Sequence, residues 1–205
     1  MHYWREQSFQ ALKHAASEST AQGWSSYAAF CRDSERGLRR KALEALEAFM
    51  RSMEQVPEVE RRRFVSWLLS IVEGQEGRDM LIPHPLRTRI VEPTLLCWVQ
   101  DEPHSSEPHR WLGGREHLER ALELDPGDHI ARRKLIILLL SWIDYATHEL
   151  PRGYLGTASE DLRTLDKVDS LLPALPDEGL RKAYAEAVVE ERTAIHQYLR
   201  SYRKS

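Results

Sequence analysis

What this chain has little of narrows the field before any motif is read. Cysteine occurs twice, at Cys31 and Cys97, in 205 residues. That is too few for a disulfide framework. Both thiols stand in apolar helical surroundings, which suit buried, reduced cysteines better than the single bridge that two of them allow. No CxxC and no HExxH occurs, so the ligand spacing of a structural or catalytic zinc site is missing. Neither GxxxxGK[ST] nor GxGxxG occurs either, which removes the two common glycine-rich phosphate cradles. The longest apolar run, Leu135 to Leu140, is far short of the roughly 20 residues a membrane span needs. The opening MHYWREQSFQ has no apolar core, so no secretory signal is expected and a cytoplasmic location is. The net charge of -3 supplies no global field toward nucleic acid or anionic lipid.

What remains is a chain with 41% hydrophobic and 30% charged residues, a balance that can bury a core and argues against disorder. The apolar residues recur at helical spacing, with no alternating strand pattern and no Asn-Gly hairpin signal. The fold class read from this is all-α, about eight mostly antiparallel stacked helices, repeat-like or an irregular bundle. A first helix is predicted from Tyr3 to about Ala21, with Trp4, Phe9, Leu12 and Ala16 on one side and Gly23 at its end. A second begins near Ser25 and carries Tyr27, Phe30 and Cys31, with Gly37 kinking or dividing it. Its continuation, Leu38 to Met53, places Leu38, Ala42, Leu46, Phe49 and Met53 on one stripe. After Val56-Pro57, Glu58 to Val72 buries Phe64, Trp67, Leu68 and Ile71 and closes at Gly74 and Gly77. Leu86 to Val99 follows, with a break or kink expected near Glu92 because Pro93 interrupts it. Leu95, Leu96 and Trp98 are expected inside.

Asp101 to Pro108 reads DEPHSSEP, a linker on account of Pro103 and Pro108. A helix from Trp111 to Leu124 ends at Asp125-Pro126-Gly127. Asp128 caps the next, which runs to about His148. Pro151 to Gly156 is a loop, Ser159 an N-cap for a helix to about Leu172, and Pro173 and Pro176 stop it. The last helix runs from Asp177 to about Tyr202, with Tyr184, Val188, Ile195, Leu199 and Tyr202 on its apolar side. One domain over 1–205 is the expectation, with a lobe boundary at 101–108 as the alternative.

The stretch Leu118-Glu119-Arg120-Ala121-Leu122-Glu123-Leu124-Asp125-Pro126 resembles the end of a tetratricopeptide repeat, which closes its second helix with alanine, leucine and an Asp-Pro turn. The resemblance covers this stretch alone, because prolines occupy the place of the repeat's first helix and no second copy follows. It implies a scaffold that binds another protein.

Candidate sites concentrate between Glu107 and Tyr154. From Leu135 to Ile143 only Ser141 is polar, so the helix is expected to be surrounded by others. At its C-terminal end stand Asp144, Tyr145 and His148. Asp144 and His148 are four apart on one helix face, where a carboxylate can orient an imidazole for general-base or ligand work. The bland alternative is a histidine at the negative end of a helix dipole. The loop 107–114 packs Glu107, His109, Arg110 and Trp111 ahead of Gly113-Gly114. Arg and Trp are favoured at binding hot spots, and the same loop also reads as a structural elbow. Arg152 and Tyr154 lie in the 151–156 loop, which either presents the tyrosine or tucks it in. If the helices 111–124 and 128–148 are antiparallel, His109, Arg110, Asp144 and His148 converge. Arg110 and His117 also stand six residues apart, similar to the Arg-His pair of small helical HEPN ribonucleases, but astride a Gly-Gly turn. The basic runs at 36–41, 61–63 and 132–134 read as the solvated sides of helices.

The functional expectation is a non-enzymatic protein-binding module, in one version a cognate inhibitor of the immunity type that covers a toxin's active site. Its partner is another protein, with no membrane or nucleic acid, and no cofactor or metal. The alternative is an enzyme or small-ligand protein with a site between the 107–114 loop, the 144–148 helix end and the 151–156 loop.

Overall fold

The computed structural model describes residues 6–73, 80–150 and 152–202, without the side chains of Gln7 and Tyr202. The expectations for Trp4, Gly74, Gly77, Pro151 and the Tyr202 ring lie outside the described residues. All regular structure among them is helical, and no strand occurs. The elements are α1 (Glu6–Ala21), α2 (Ser25–Glu35), α3 (Arg39–Gln55), α4 (Glu58–Val72), α5, α6 (Ser106–Leu112), α7 (Gly114–Leu124), α8 (His129–Thr147), α9 (Ala158–Leu171) and α10 (Glu178–Tyr202). Helix α5 is composite: His84–Leu86, the π-turn Arg87–Val91 and Glu92–Asp101 run on without a stop.

Two differences from the expected eight have local causes. Gly37, at φ +72°, takes a conformation that L side chains avoid and cleanly divides α2 from α3. The supposed linker contains α6, because Pro108 sits in that helix's first turn, where its missing N–H costs nothing. Near Glu92, where a break or kink is expected, the helix does not break but passes through the π-turn. In the π-turn the Glu92 amide donates to the Arg87 carbonyl, and this wider winding relieves the crowding a proline ring imposes on the preceding turn.

Contacts divide the chain into two compact units, Met1–Pro103 and His104–Ser205. In the first, α1 packs on α2, α2 on α3, and α5 on α3 and α4. Its centre is a nest of rings. Tyr27 lies 5.3 Å from both Phe49 and Phe64, and Phe49 lies 4.6 Å from Phe64. Burial pushes the Tyr27 hydroxyl well above its ordinary pKa, and that hydroxyl donates to the Leu81 carbonyl at 2.8 Å. Cys31 is a free, buried thiol pushed up to about 12 by burial. Leu38 and Leu96, expected inside, are exposed. Leu38 sits at the N-cap of α3, ahead of the buried stripe.

The second unit stacks α7 on α8, α8 on α9 and α10, and α9 on α10. Leu118, Ala121, Leu135, Ile136, Leu139, Ile143, Leu165, Val168, Val188 and Ile195 form one buried core. Each large side chain there contributes about 1.5–3 kcal/mol by leaving water. Asp128 caps α8 as expected, accepting from the Ala131 amide at 2.9 Å. At α9 the N-cap is Thr157, not Ser159.

Candidate functional site

Helices α6 and α7 meet at Gly113 and Gly114, both at positive φ (+70° and +73°). Two such residues in a row reverse the chain, so α6 folds back along α7. His109 and His117 then face each other with their Nδ1 atoms 2.9 Å apart. One of these nitrogens donates and the other accepts. Burial, then the charges of His117 and Arg120, hold the His109 imidazolium below its ordinary pKa. Arg110 Nη1 donates to Asp128 Oδ2 at 3.1 Å, and Glu107 lies 3.8 Å from the same guanidinium. The Trp111 ring is covered by Lys134 Nζ at 3.9 Å, and that ammonium also donates to the Arg110 carbonyl at 3.5 Å. Thus Glu107, His109, Arg110 and Trp111 tie α6 to α7 and to the start of α8. The solvated run expected at 132–134 is partly inside, for Arg132 is buried and donates to the Pro126 carbonyl at 2.5 Å.

Asp144, Tyr145 and His148 lie elsewhere. His148 Nδ1 is 2.6 Å from the Tyr145 carbonyl and Nε2 is 3.3 Å from Glu149, so the imidazole turns away from the Asp144 carboxylate expected to orient it. The Tyr145 ring stacks on His148 at 5.4 Å. Tyr154 is tucked in, donating to buried Asp161 Oδ2 at 2.5 Å and stacking on Tyr198 at 5.2 Å. Burial, and then that bond, raise the Tyr154 pKa. Gly156 has no room for a side chain, since a Cβ there would sit 2.1 Å from Asp161 Oδ2. Arg152 is exposed, its backbone amide donating to the Glu149 carbonyl at 2.8 Å.

The expected convergence of His109 and Arg110 with Asp144 and His148 therefore fails. Helix α7 has 11 residues and α8 has 19, so α7 reaches only part of the way along α8. Helix α6 then turns back toward Asp128. From Asp128 to Asp144 is about 24 Å along the helix axis at 1.5 Å per residue. Arg110 and His117 do not pair either, each being held by other residues.

A different feature occupies the side of α8 that α7 and α9 leave open. The helix is not surrounded. Ile137, Leu138, Trp142 and Tyr145 are 46%, 39%, 58% and 58% exposed. Leu138 and Trp142, four apart, share a helix face with Leu139 beside them. The three floor a groove of about 740 Å³ between the start of α7, α8 and α9. One wall is Gly114 and Arg115; the other is Glu160, Arg163, Thr164 and Lys167. Glu119 fastens the two walls, accepting from Arg115 Nε at 2.8 Å and from Lys167 Nζ at 2.5 Å. Partial burial opposes its charge, but these donors prevail and hold its carboxyl below the ordinary value. The groove thus has an apolar floor with an exposed indole and charged rims of both signs. Such a surface desolvates an apolar side chain and meets polar neighbours at the edge.

Among the described residues, no group of three or more His, Cys, Asp or Glu side chains is placed to hold a metal ion. No described helix is long and apolar enough to cross a membrane. No family model, curated protein or solved structure matches the chain.

Proposed function

We propose that this chain is a protein-binding module that receives an apolar-faced segment of a partner in the groove between α8 and α9. The observation that carries the reading is Trp142, a large indole 58% exposed that lines a groove together with Leu138 and Leu139. An exposed indole beside Leu138 costs free energy in water that a partner's side chain relieves, and tryptophan is the residue most enriched at interface hot spots. Arg115, Arg163, Lys167 and Glu160 around it supply a polar rim that selects among apolar segments. The α7–α8 hairpin, closed by Asp125-Pro126 and packed through Ala121, supports a scaffold of the tetratricopeptide kind. A cognate-inhibitor role is the concrete version, in which one chain covers the active site of one toxin.

A photocrosslinking residue placed at Arg163 or Thr164 tests this in the native cell. The expected result is an adduct with one protein species, absent when the same group replaces exposed Val59. Equal, diffuse labelling from both places contradicts the reading. The groove's volume also falls in the range of small-ligand sites, about 300–1,000 Å³. A small molecule that copurifies with the chain and is lost in Trp142→Asp would select that alternative.

A further inference from the structure

We infer that His109 and His117 form a proton-operated latch, which holds α6 on α7 at neutral pH and releases it about the Gly113–Gly114 hinge in acid. The inference stands apart from the groove reading. The two Nδ1 atoms are 2.9 Å apart, and the rings lie 5.2 Å apart at a tilt of 41°. A bond between two Nδ1 atoms needs a proton on one and a lone pair on the other. The neutral pair meets that need, and so does the pair that carries one added proton. A second added proton puts an N–H on both sides of the contact and sets two positive charges at hydrogen-bond distance. The bond is then lost and the rings repel.

The groups around the pair do not offset that charge. Glu107 and Asp128 both lie on the Arg110 guanidinium. Lys134 covers Trp111, and Arg132 donates to the Pro126 carbonyl. On α7, Arg120 is paired to Glu123 and its charge reaches His109. Arg115 and Glu119 are joined to each other, and Glu116 and His129 are exposed. Among the described residues no carboxylate lies within ion-pair distance of either imidazole. Closed α6 also leaves Arg110 Nε and Trp111 Nε1 buried without a hydrogen-bond partner, a cost that water removes on opening. Helix α6 has seven residues, of which Pro108 and His109 are buried. So short a helix does not persist without packing, and an imidazolium that turns out to water takes one of those two contacts with it. A Cβ at Gly113 or Gly114 would meet nothing within 4 Å, so the elbow has room to turn. Burial and the charges of His117 and Arg120 oppose the His109 imidazolium. The latch therefore stays shut at the ordinary histidine value of about 6.5 and opens below it.

Hydrogen–deuterium exchange of the full chain, from about pH 7.5 to about pH 4.5, tests this when each rate is compared with its intrinsic rate. Protection across Ser106–Leu112 should fall by about tenfold or more, with a midpoint below about pH 6.5. The buried amides of α8 around Ile136 and Leu139 should keep theirs. His117→Gln offers His109 an acceptor that cannot become a cation, so α6 should stay protected in acid. His117→Arg is cationic throughout, so α6 should lose protection already at neutral pH. His117 is only partly buried, and two variants that move in opposite directions separate the latch from misfolding. Protection of α6 that does not change with pH, that falls equally in His117→Gln, or that falls together with α8 would overturn the inference. A crosslink from Arg163 or Thr164 would survive that failure, so the two readings fall separately.

Discussion

Replacing Asp128 removes two interactions of known size at once. Its Oδ1 accepts the Ala131 amide at 2.9 Å and its Oδ2 accepts Arg110 Nη1 at 3.1 Å, on a side chain that is 1% exposed. Loss of an N-cap costs about 1 kcal/mol. Breaking a fully buried ion pair costs about 3–5 kcal/mol because the remaining charge is stranded. Arg110, however, keeps 19% exposure and Glu107 at 3.8 Å, so about 2 kcal/mol is the fitting share. Asp128→Ala should therefore destabilise by about 3 kcal/mol. Asp128→Asn keeps a capping oxygen and loses only the charge, so its cost should be about 1–2 kcal/mol. Urea unfolding followed by circular dichroism reads both values. With a slope of about 2 kcal/mol per M, the alanine variant's midpoint should fall by roughly 1.5 M. If both variants unfold with the wild type, or if asparagine is as damaging as alanine, the double role assigned to Asp128 is wrong.

Three further outcomes follow from the same contacts. Ile143→Ala empties a fully buried position in the second unit's core and should cost about 2–5 kcal/mol. Ile137→Ala, on the open ridge, should stay within about 0.5 kcal/mol, and the two are compared by urea midpoint. Gly156→Ala should displace the Asp161 carboxylate, and Tyr154→Phe should remove its donor; each should destabilise by about 1–3 kcal/mol in thermal melts. His109 is held below its ordinary pKa by burial and neighbouring positive charge, so the unfolded chain takes up that proton first. Its contribution is complete above the ordinary histidine pKa of about 6.5 and is lost as pH falls through the lowered folded value. Urea midpoints at neutral and acid pH should converge less in wild type than in His109→Gln, which lacks this proton uptake.

The helices were legible because periodicity and punctuation agree with the packing. Gly23, Gly37 and Asp128 act where a reading of turn and cap chemistry puts them. Helix α6 was hidden because Pro103 and Pro108 read as breakers, although a proline in a first turn does not break a helix. The groove was hidden for another reason. An unbroken apolar run says that a helix avoids water on every side, but whether neighbours cover every side depends on their lengths and crossing, which no local pattern records. Leu138 and Trp142 at i, i+4 were the available signal, and Arg163, Thr164 and Lys167 carry none of their own. The polar groups at 107–111 were conspicuous in sequence and turned out to hold the α6–α7 elbow. His109 pairs with His117 only because Gly113 and Gly114 reverse the chain.

The groove as a protein-binding surface is tested most directly at Trp142. The wild-type chain and Trp142→Asp are expressed in the native cell and purified under identical conditions, with circular dichroism confirming equal helicity. The wild type should bring down one partner in fixed stoichiometry and the variant should lose it. Recovery of the same partner in the same amount by Trp142→Asp would contradict it.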